Sequence, residues 1–240
     1  MEIEVLADSQ SVAGRAASII AGYAQEAIAA RGSFVLAVSG GHTPWIMLRS
    51  LATARIPWRA VHVVQVDERV APAGHADRNL THLTESLLDH SPLPPDQLHA
   101  MPVESPDLVA AAASYAATLR NIAGEPAIID LVHLGLGPDG HTASLVPGDR
   151  VLDVDNADVA LSGPYQGRRR MTLTYPILNR ARRIVWVVAG GEKADMLNRL
   201  LDGDRGIPAG RVHSDQALLL ADCAAAPGRR TSKTGGVLCA

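Results

Sequence analysis

The segment Phe34-Val-Leu-Ala-Val-Ser-Gly-Gly-His-Thr-Pro44 joins an unbroken apolar run to two glycines and a proline. A strand that helices cover on both faces is apolar at every position. The glycines allow a sharp turn, Thr43 can cap a following helix, and Pro44 suits the first turn of that helix. The segment therefore predicts a buried parallel strand, a tight turn and a helix.

The rest of the chain repeats this alternation of short β-branched runs and longer Ala- and Leu-rich stretches. The runs predict strands at residues 3–7, 34–39, 61–67, 128–134 and 184–189, with a further short strand at 217–221. The stretches predict helices at residues 11–31, 44–53, 78–88, 106–122 and 192–201; Ser9 or Ser11 is expected to cap the first helix, and Gly32 to end it. Such alternation is typical of an α/β protein with a doubly wound, mostly parallel sheet and helices on both faces, a Rossmann-like arrangement.

The 240 residues fit a single domain, which we expect to span residues 1–223. Residues 224–240 are rich in small, basic and turn-forming residues without periodicity, which predicts a flexible C-terminal tail. Residues 151–167 are expected to form a loop. In a doubly wound sheet, ligands bind beyond the carboxyl ends of the strands, so the candidate site residues are those that follow each run.

Composition excludes several classes of function. The 22 basic and 25 acidic residues give a net charge of −3, which argues against a nucleic-acid partner. No apolar run reaches the ~18 residues of a membrane span, and the acidic N-terminus does not resemble a signal peptide, so we expect a cytoplasmic protein. Cys223 and Cys239 have no Cys or His neighbour at metal-ligand spacing, which argues against a structural zinc site and a disulfide framework.

The turn after the second predicted strand is a candidate phosphate site formed by Ser39, Gly40, Gly41 and Thr43. Free N–H groups at a helix N-terminus bind anions, and glycines let a ligand approach the backbone. A tight turn without a ligand is the simpler alternative. A nucleophile elbow is another, because residues 37–41 nearly match G-x-S-x-G, but no HGGG-like segment precedes Ser39.

Charged residues also follow the third strand and precede a later one. Asp67 and Arg69 lie where a cleft is expected, and arginine binds phosphate through paired hydrogen bonds; a surface salt-bridge cluster is the alternative. Arg170 closes a run of three arginines before Met171-Thr-Leu-Thr174. One or two of these three arginines are candidates to reach the cleft, and the others are expected to be solvated.

The fourth predicted strand leads into Gly135-Leu-Gly-Pro-Asp-Gly-His-Thr-Ala-Ser144. This run contains G-x-G-x-x-G, and Asp155 follows where a dinucleotide fingerprint places an acid, but Pro147-Gly148 leaves too little room for a crossover helix. The alternative is a glycine-rich loop that presents Asp139 and His141. Histidine is suited to proton transfer near neutral pH, although a lone histidine is often structural.

Together these segments resemble the 6-phosphogluconolactonase family, within the larger group that includes glucosamine-6-phosphate deaminase. The order and spacing of Ser39–Pro44, Asp67–Arg69, 135–145 and 170–174 agree with that family. The chain departs from it at Val146, Gln65 and Arg78, where the family usually has Phe, an aromatic residue and Ser. After His141 the chain continues Thr142-Ala-Ser-Leu-Val-Pro147 and lacks the glutamate expected in the deaminase branch.

The resemblance implies hydrolysis of 6-phospho-D-glucono-1,5-lactone, the second step of the oxidative pentose phosphate pathway, with no metal and no cofactor. His141 would activate water, with Asp139 or Asp130 orienting its ring, and Arg170 would stabilise the oxyanion or hold the phosphate. The substrate would be bound by Ser39, Gly40, Gly41, Thr43, Asp67, Arg69, Gly137 and Lys193. The partner is then a small phosphorylated sugar lactone, and we expect a monomer or weak homo-oligomer that binds neither nucleic acid nor membrane. A deaminase or a non-catalytic sugar-phosphate sensor stays as the alternative; a sensor within a transcription regulator would carry a helix-turn-helix segment.

Overall fold

A computed structural model describes residues 1–229 of the chain. Within these residues lie the strands β1 (Glu2–Leu6), β2 (Phe34–Val38), β3 (Val61–Gln65), β4 (Asp67–Arg69), β5 (Leu98–His99), β6 (Leu131–Leu134), β7 (Val159–Tyr165), β8 (Arg168–Leu173), β9 (Ile184–Val188) and β10 (Ala217–Asp222). The α-helices are α1 (Ser9–Arg31), α2 (His42–Ala52), α3 (Asn79–Ser86), α4 (Leu108–Ala123), α5 (Tyr175–Arg180) and α6 (Ala194–Leu201).

Seven strands form one parallel sheet in the order β1-β10-β9-β6-β2-β3-β5. Alternate residues of β2 belong to different apolar clusters, because side chains of a strand point to opposite faces. Leu36 packs with residues of α1, α2 and α3, whereas Val35 packs with residues of α4, α5 and α6. The predicted doubly wound α/β fold is confirmed, and the two-residue β5 is an addition to it.

A second, three-stranded antiparallel sheet was not predicted; its order is β4-β8-β7. The expectation that residues 151–167 form a loop is wrong, because β7 spans Val159–Tyr165 and a short 3-10 turn spans Arg150–Asp153. Ser162, Gly163 and Pro164 interrupt the apolar alternation of β7, and its pairing with β8 is irregular there. Pairing with a distant strand therefore decides the conformation of this segment.

Several predicted helix ends need correction. Asp8, rather than Ser9 or Ser11, caps α1, since its carboxylate accepts a 2.7 Å hydrogen bond from the amide of Ser11. Gly32 ends α1 in the left-handed conformation, as predicted. Thr43 does not cap α2, because the helix already begins at His42 and no side chain caps it. The first N–H groups of α2 are thus left without a side-chain acceptor from the preceding turn.

The C-terminal prediction is wrong for residues just beyond position 223. Ala225 and Ala226 are buried, and their amides donate to the carboxylate and carbonyl oxygens of Asp222. Residues 230–240 of the predicted tail lie outside the described residues. Cys223 is disulfide-bonded, a bond that the sequence did not predict. No helix within residues 1–229 has the length and apolarity needed to cross a membrane.

Candidate active site

A cavity of about 350 Å³ opens at the carboxyl ends of the parallel strands. Every predicted site residue except Asp139 lines it: Ser39, Gly40, Gly41, Thr43, Asp67, Arg69, Gly137, His141, Arg170 and Lys193. A larger groove of about 640 Å³ lies between α4 and β7, but none of the predicted site residues lines that groove. The smaller cavity is the candidate active site because the titratable groups converge there.

Asp139 and His141 form a hydrogen-bonded pair at the edge of the cavity. Oδ1 of Asp139 lies 2.5 Å from Nδ1 of His141, and Oδ2 accepts a 3.0 Å hydrogen bond from the hydroxyl of Tyr165. Burial opposes ionisation of Asp139, but the contacts with His141 and Tyr165 outweigh burial and lower the pKa of the carboxyl. An ionised Asp139 places the ring proton on Nδ1, which leaves Nε2 of His141 as the basic atom.

Gly137 is required by the closeness of the imidazole. A Cβ atom at position 137 would lie 2.0 Å from Nδ1 of His141, closer than any real contact. Hydrogen bonds from the Gly137 amide to the His141 carbonyl (2.8 Å) and from the Gly140 amide to the Gly137 carbonyl (3.0 Å) close the loop. The glycines of the 135–141 loop therefore shape the seat of the histidine ring.

Asp130 does not orient His141, so that alternative is wrong. It precedes β6, at the end of the sheet opposite the cavity, and its carboxylate accepts a 2.9 Å hydrogen bond from the Val35 amide. Arg31 and Arg182 form ion pairs with it, at 2.7 and 3.3 Å. The proximity of Asp130 to the loop in sequence is misleading because strand β6 separates them.

Arg69 and Arg170 form the cationic side of the cavity. They are direct cross-strand partners of β4 and β8, an arrangement that is destabilising for like charges. Arg170 is almost fully buried, and burial lowers the pKa of its guanidinium from the ordinary value, against the raising effect of Asp67, whose Oδ2 lies 3.9 Å away. The guanidinium stays charged, since arginine does not lose its proton in proteins. Two cations on neighbouring strands, with one carboxylate near Arg170, favour an anionic ligand.

The other two arginines of the run behave as the sequence predicted for residues outside the cleft. Arg169 is exposed, and Arg168 forms a 2.9 Å ion pair with Asp77 at the surface. Only Arg170 of the three lines the cavity.

Asn79 links Arg69 and Asp67 on the cationic side of the cavity. Its Oδ1 accepts a 2.8 Å hydrogen bond from Arg69, and its amide nitrogen donates to the carbonyl of Asp67 at 2.9 Å. A Cβ atom at Gly40 would lie 2.0 Å from Oδ1 of Asn79, so only glycine permits this approach. The Asp67 carboxylate accepts a 2.6 Å hydrogen bond from Ser144. Asp67 thus holds the loop that follows His141.

Ser39 is bound to β6. Its hydroxyl donates to the carbonyl of His133 at 2.9 Å, and its amide donates to Nδ1 of His133 at 3.2 Å. Burial lowers the pKa of His133 to about 3, so this ring is neutral. Because the hydroxyl donates to a carbonyl and not to an imidazole, Ser39 lacks the base that a nucleophile elbow requires. Lys193 reaches the cavity from the turn before α6 and donates to the carbonyl of Leu136 at 2.6 Å.

Tyr165, Gln166 and Glu192 belong to the site but were missed from the sequence. Gln166 and Glu192 line the cavity, and Tyr165 contacts Asp139. Gln166 and Gly167 both have positive φ angles, of 51° and 77°, and form the turn between β7 and β8. Gly167, a residue that readily adopts positive φ, was the available local signal for a turn. Among residues 1–229, no group of three or more His, Cys, Asp or Glu side chains is placed to hold a metal ion.

Comparisons with known proteins show what the chain is similar to. The model of the family "Glucosamine-6-phosphate isomerases/6-phosphogluconolactonase" matches residues 7–220. The chain is 36% identical to a 6-phosphogluconolactonase of Synechocystis sp., over 83% of this chain and 84% of the relative. It is 35% identical to one of Mycobacterium leprae, over 92% and 95% of the two chains.

Solved structures show the same fold. The 6-phosphogluconolactonase of Thermotoga maritima superposes with a TM-score of 0.83 at 25% identity, covering 92% of this chain and 98% of that one. A monomeric glucosamine-6-phosphate deaminase superposes almost equally well, with a TM-score of 0.82 at 19% identity, covering 94% and 98%. The fold is therefore common to both proteins and does not by itself distinguish the two activities.

Proposed function

The chain belongs to the glucosamine-6-phosphate isomerase/6-phosphogluconolactonase family, and from this premise we propose that it hydrolyses 6-phospho-D-glucono-1,5-lactone to 6-phospho-D-gluconate. The observation that carries the proposal is the Asp139–His141 pair at a cavity that also collects Arg69, Arg170 and Lys193. Such a cavity combines a base with binding groups for a phosphate and for a developing oxyanion.

His141 acts as the proton-transfer group. Nε2 takes a proton from water as the water oxygen attacks the C1 carbonyl of the lactone, which gives a tetrahedral intermediate. The intermediate collapses with cleavage of the bond from C1 to the ring oxygen, and the imidazolium returns its proton to that oxygen. Asp139 fixes the tautomer of His141 and stabilises the imidazolium, as a carboxylate does in a hydrolytic triad.

The cations divide the remaining work. Arg69, Lys193 and the N–H groups at the start of α2 hold the 6-phosphate. Arg170 stabilises the oxyanion. This assignment is supported by the contact of its guanidinium with the ring of Tyr165, because Tyr165 also contacts Asp139. Binding of the remote phosphate places C1 over His141, so that binding energy is used for orientation.

The residues after His141 favour the lactonase over the deaminase. Thr142 donates to the carbonyl of Gly135 at 2.8 Å, and Ser144 donates to Asp67. Both side chains are committed to the architecture of the loop. Asp139 is the carboxylate that contacts the His141 ring within the described residues, whereas the deaminase branch is expected to supply a glutamate from this segment.

The test is loss of 6-phosphogluconolactone by the purified protein, measured with EDTA and without added cofactor. We expect the protein to consume the lactone much faster than the lactone opens spontaneously without protein. The His141→Ala protein should be much slower than the unaltered protein. Loss of activity on chelation, restored by a metal, would contradict the mechanism. Release of ammonia from glucosamine 6-phosphate at a comparable rate would assign the protein to the deaminase branch.

We further propose that the protein works in the cytoplasm as a monomer or weak homo-oligomer. A phosphorylated lactone is charged and does not cross a bilayer unaided, because charge transfer into hydrocarbon is costly. The base and the cations of the proposed mechanism, His141, Arg69, Arg170 and Lys193, all belong to this chain, so the chemistry does not call on a residue of a second copy. Cell fractionation and light scattering of the purified protein test the two statements.

A further inference from the structure

Tyr165 contacts both chemical groups on which the proposed reaction depends. Its hydroxyl donates a 3.0 Å hydrogen bond to Oδ2 of Asp139, the oxygen that His141 does not use. Its ring lies edge-on to the imidazole of His141, with 5.2 Å between ring centroids. The hydroxyl stays protonated and able to donate, because burial and the neighbouring Asp139 raise the pKa of Tyr165 above its ordinary value.

The ring of Tyr165 also contacts Arg170. Cζ of Arg170 lies 5.0 Å from the centroid of the Tyr165 ring, within the range of a cation–π contact. Nη2 of Arg170 also approaches the carbonyl of Tyr165 at 3.4 Å and Oε1 of Gln166 at 3.3 Å. Arg170 needs such support, since it faces the like charge of Arg69 on the adjacent strand.

The hairpin between β7 and β8 delivers these contacts. Tyr165 ends β7, and the register pairs it with Arg168 across the turn formed by Gln166 and Gly167. Pairing of β8 with β4 then fixes Arg170 opposite Arg69. The position of Tyr165 relative to Arg170 is therefore set by backbone pairing, and its position relative to Asp139 is set by one hydrogen bond.

We propose that Tyr165 is a positioning residue that holds the Asp139–His141 pair at a fixed distance from Arg170. The proposal rests on the proposed function, in which His141 transfers the proton and Arg170 stabilises the oxyanion. The hydroxyl of Tyr165 restrains the carboxylate, and the ring restrains the guanidinium. The hairpin thereby aligns the base with the oxyanion site on the C1 carbonyl.

The experiment compares Tyr165→Phe, Tyr165→Leu and the control Tyr175→Phe. Tyr175 also loses one hydrogen bond on this change, a 2.9 Å bond to the carbonyl of Pro208, but it does not line the cavity. Tyr165→Phe should lower kcat about 3- to 10-fold, the effect of one ordinary hydrogen bond, and should change KM less than about 2-fold. Tyr165→Leu, which also removes the ring beneath Arg170, should lower kcat further.

The pH dependence separates positioning from a merely structural role. Without the hydroxyl, Asp139 loses one of the contacts that lower the pKa of its carboxyl, so this pKa should rise. The acid limb of kcat/KM, and the titration of the Asp139 carboxyl followed by NMR, should both move to higher pH in Tyr165→Phe. Tyr175→Phe should leave both curves unchanged even if its melting temperature falls.

The outcomes distinguish this inference from the proposed function. Wild-type protein without lactonase activity would contradict the proposed function, and the NMR titration of the Asp139 carboxyl would still test its hydrogen bond to Tyr165. Active wild-type protein with unchanged kcat and titration in Tyr165→Phe would overturn the role of the hydroxyl. Equal kcat in Tyr165→Phe and Tyr165→Leu would overturn the role of the ring.

Discussion

The two walls of the cavity are built in different ways. One wall consists of loops that directly follow β2 and β6, and it presents Ser39–Thr43 and His141. The other wall is the antiparallel sheet of β4, β8 and β7, which presents Arg69 and Arg170. In the first wall each functional residue lies within a few residues of a buried strand. In the second, residues far apart in sequence become neighbours through strand pairing.

This difference shows where each kind of chemistry is encoded. The loop wall depends on local constraints, such as the absence of a side chain at Gly137 and Gly40, which would otherwise collide with His141 and Asn79. The sheet wall depends on register, and its arginines repel one another unless an anion or Asp67 lies between them. Substitution of His141 in the loop wall should act on the chemical step, whereas substitutions of Glu68 and Arg69 in the sheet wall should act on stability and binding.

The largest effect is expected at His141. His141→Ala removes the proton-transfer group, so kcat should fall by about 10²-fold or more with little change in KM. Activity and thermal melting are measured on the same preparation. A variant that melts earlier but keeps wild-type kcat would show that His141 is structural.

Glu68 tests the sheet wall, because it is the middle residue of β4 and is fully buried. Its carboxylate accepts hydrogen bonds from the side chain of Gln65 and from the backbone amides of Arg69, Asn79 and Leu80. Nε of Arg78 lies 3.1 Å from the carboxylate, but it is not aligned for a hydrogen bond. Gln65 and Arg78 are two of the positions at which the chain departs from the family it resembles. These departures therefore meet at one carboxylate.

Glu68→Gln removes the buried one of the two carboxylates that pair with Arg78, and it places an amide donor against the backbone N–H groups. Breaking a buried pair costs about 3–5 kcal/mol, so the free energy of unfolding should fall by that amount. Glu104→Gln is the matched control, since Glu104 pairs with the same Arg78 at 3.1 Å but its side chain is 54% exposed. Glu104→Gln should lower the free energy of unfolding by less than about 1 kcal/mol. Urea titrations measure both variants, and equal losses of stability would show that the buried Glu68–Arg78 pair is not the more important one.

The same contrast explains what the sequence could predict. Phe34–Val38 and the Gly135–Ser144 loop carry their structure in local patterns, so the parallel sheet and the positions of His141 and Asp139 follow from them. Tyr165 lies after Gly163-Pro164, where no period marks a strand, and only pairing with β8 makes it one. For Asp130 the sequence was misleading in the other direction. Asp130 is close to the 135–141 loop in sequence, but strand β6 places the two at opposite ends of the sheet. Side-chain roles that depend on tertiary pairing were therefore missed.

Arg69 should affect binding more than chemistry. Arg69→Ala removes a charge-assisted contact worth about 1.5–3 kcal/mol, so KM for the phosphorylated lactone should rise about 10- to 150-fold. The ratio of kcat/KM for the phosphorylated lactone to kcat/KM for unphosphorylated gluconolactone should fall by the same factor. Arg169→Ala, an exposed neighbour on β8, serves as the control and should leave KM unchanged. A fall in kcat with unchanged KM in Arg69→Ala would place Arg69 at the reacting carbonyl.

Ser39 should give the smallest effect, although it directly precedes the glycine pair of the loop wall. Its hydroxyl donates to the His133 carbonyl at 2.9 Å, so Ser39→Ala should cost about 1 kcal/mol of stability. The proposed phosphate site includes the N–H groups at the start of α2, which the substitution keeps, so KM should change less than about 3-fold. A serine-reactive fluorophosphonate should not label the protein, because the neutral His133 ring accepts from the Ser39 amide and cannot also activate its hydroxyl. Stoichiometric labelling at Ser39, together with loss of kcat in Ser39→Ala, would instead make this loop a nucleophile elbow and move the catalytic centre from His141 to the other side of the same wall.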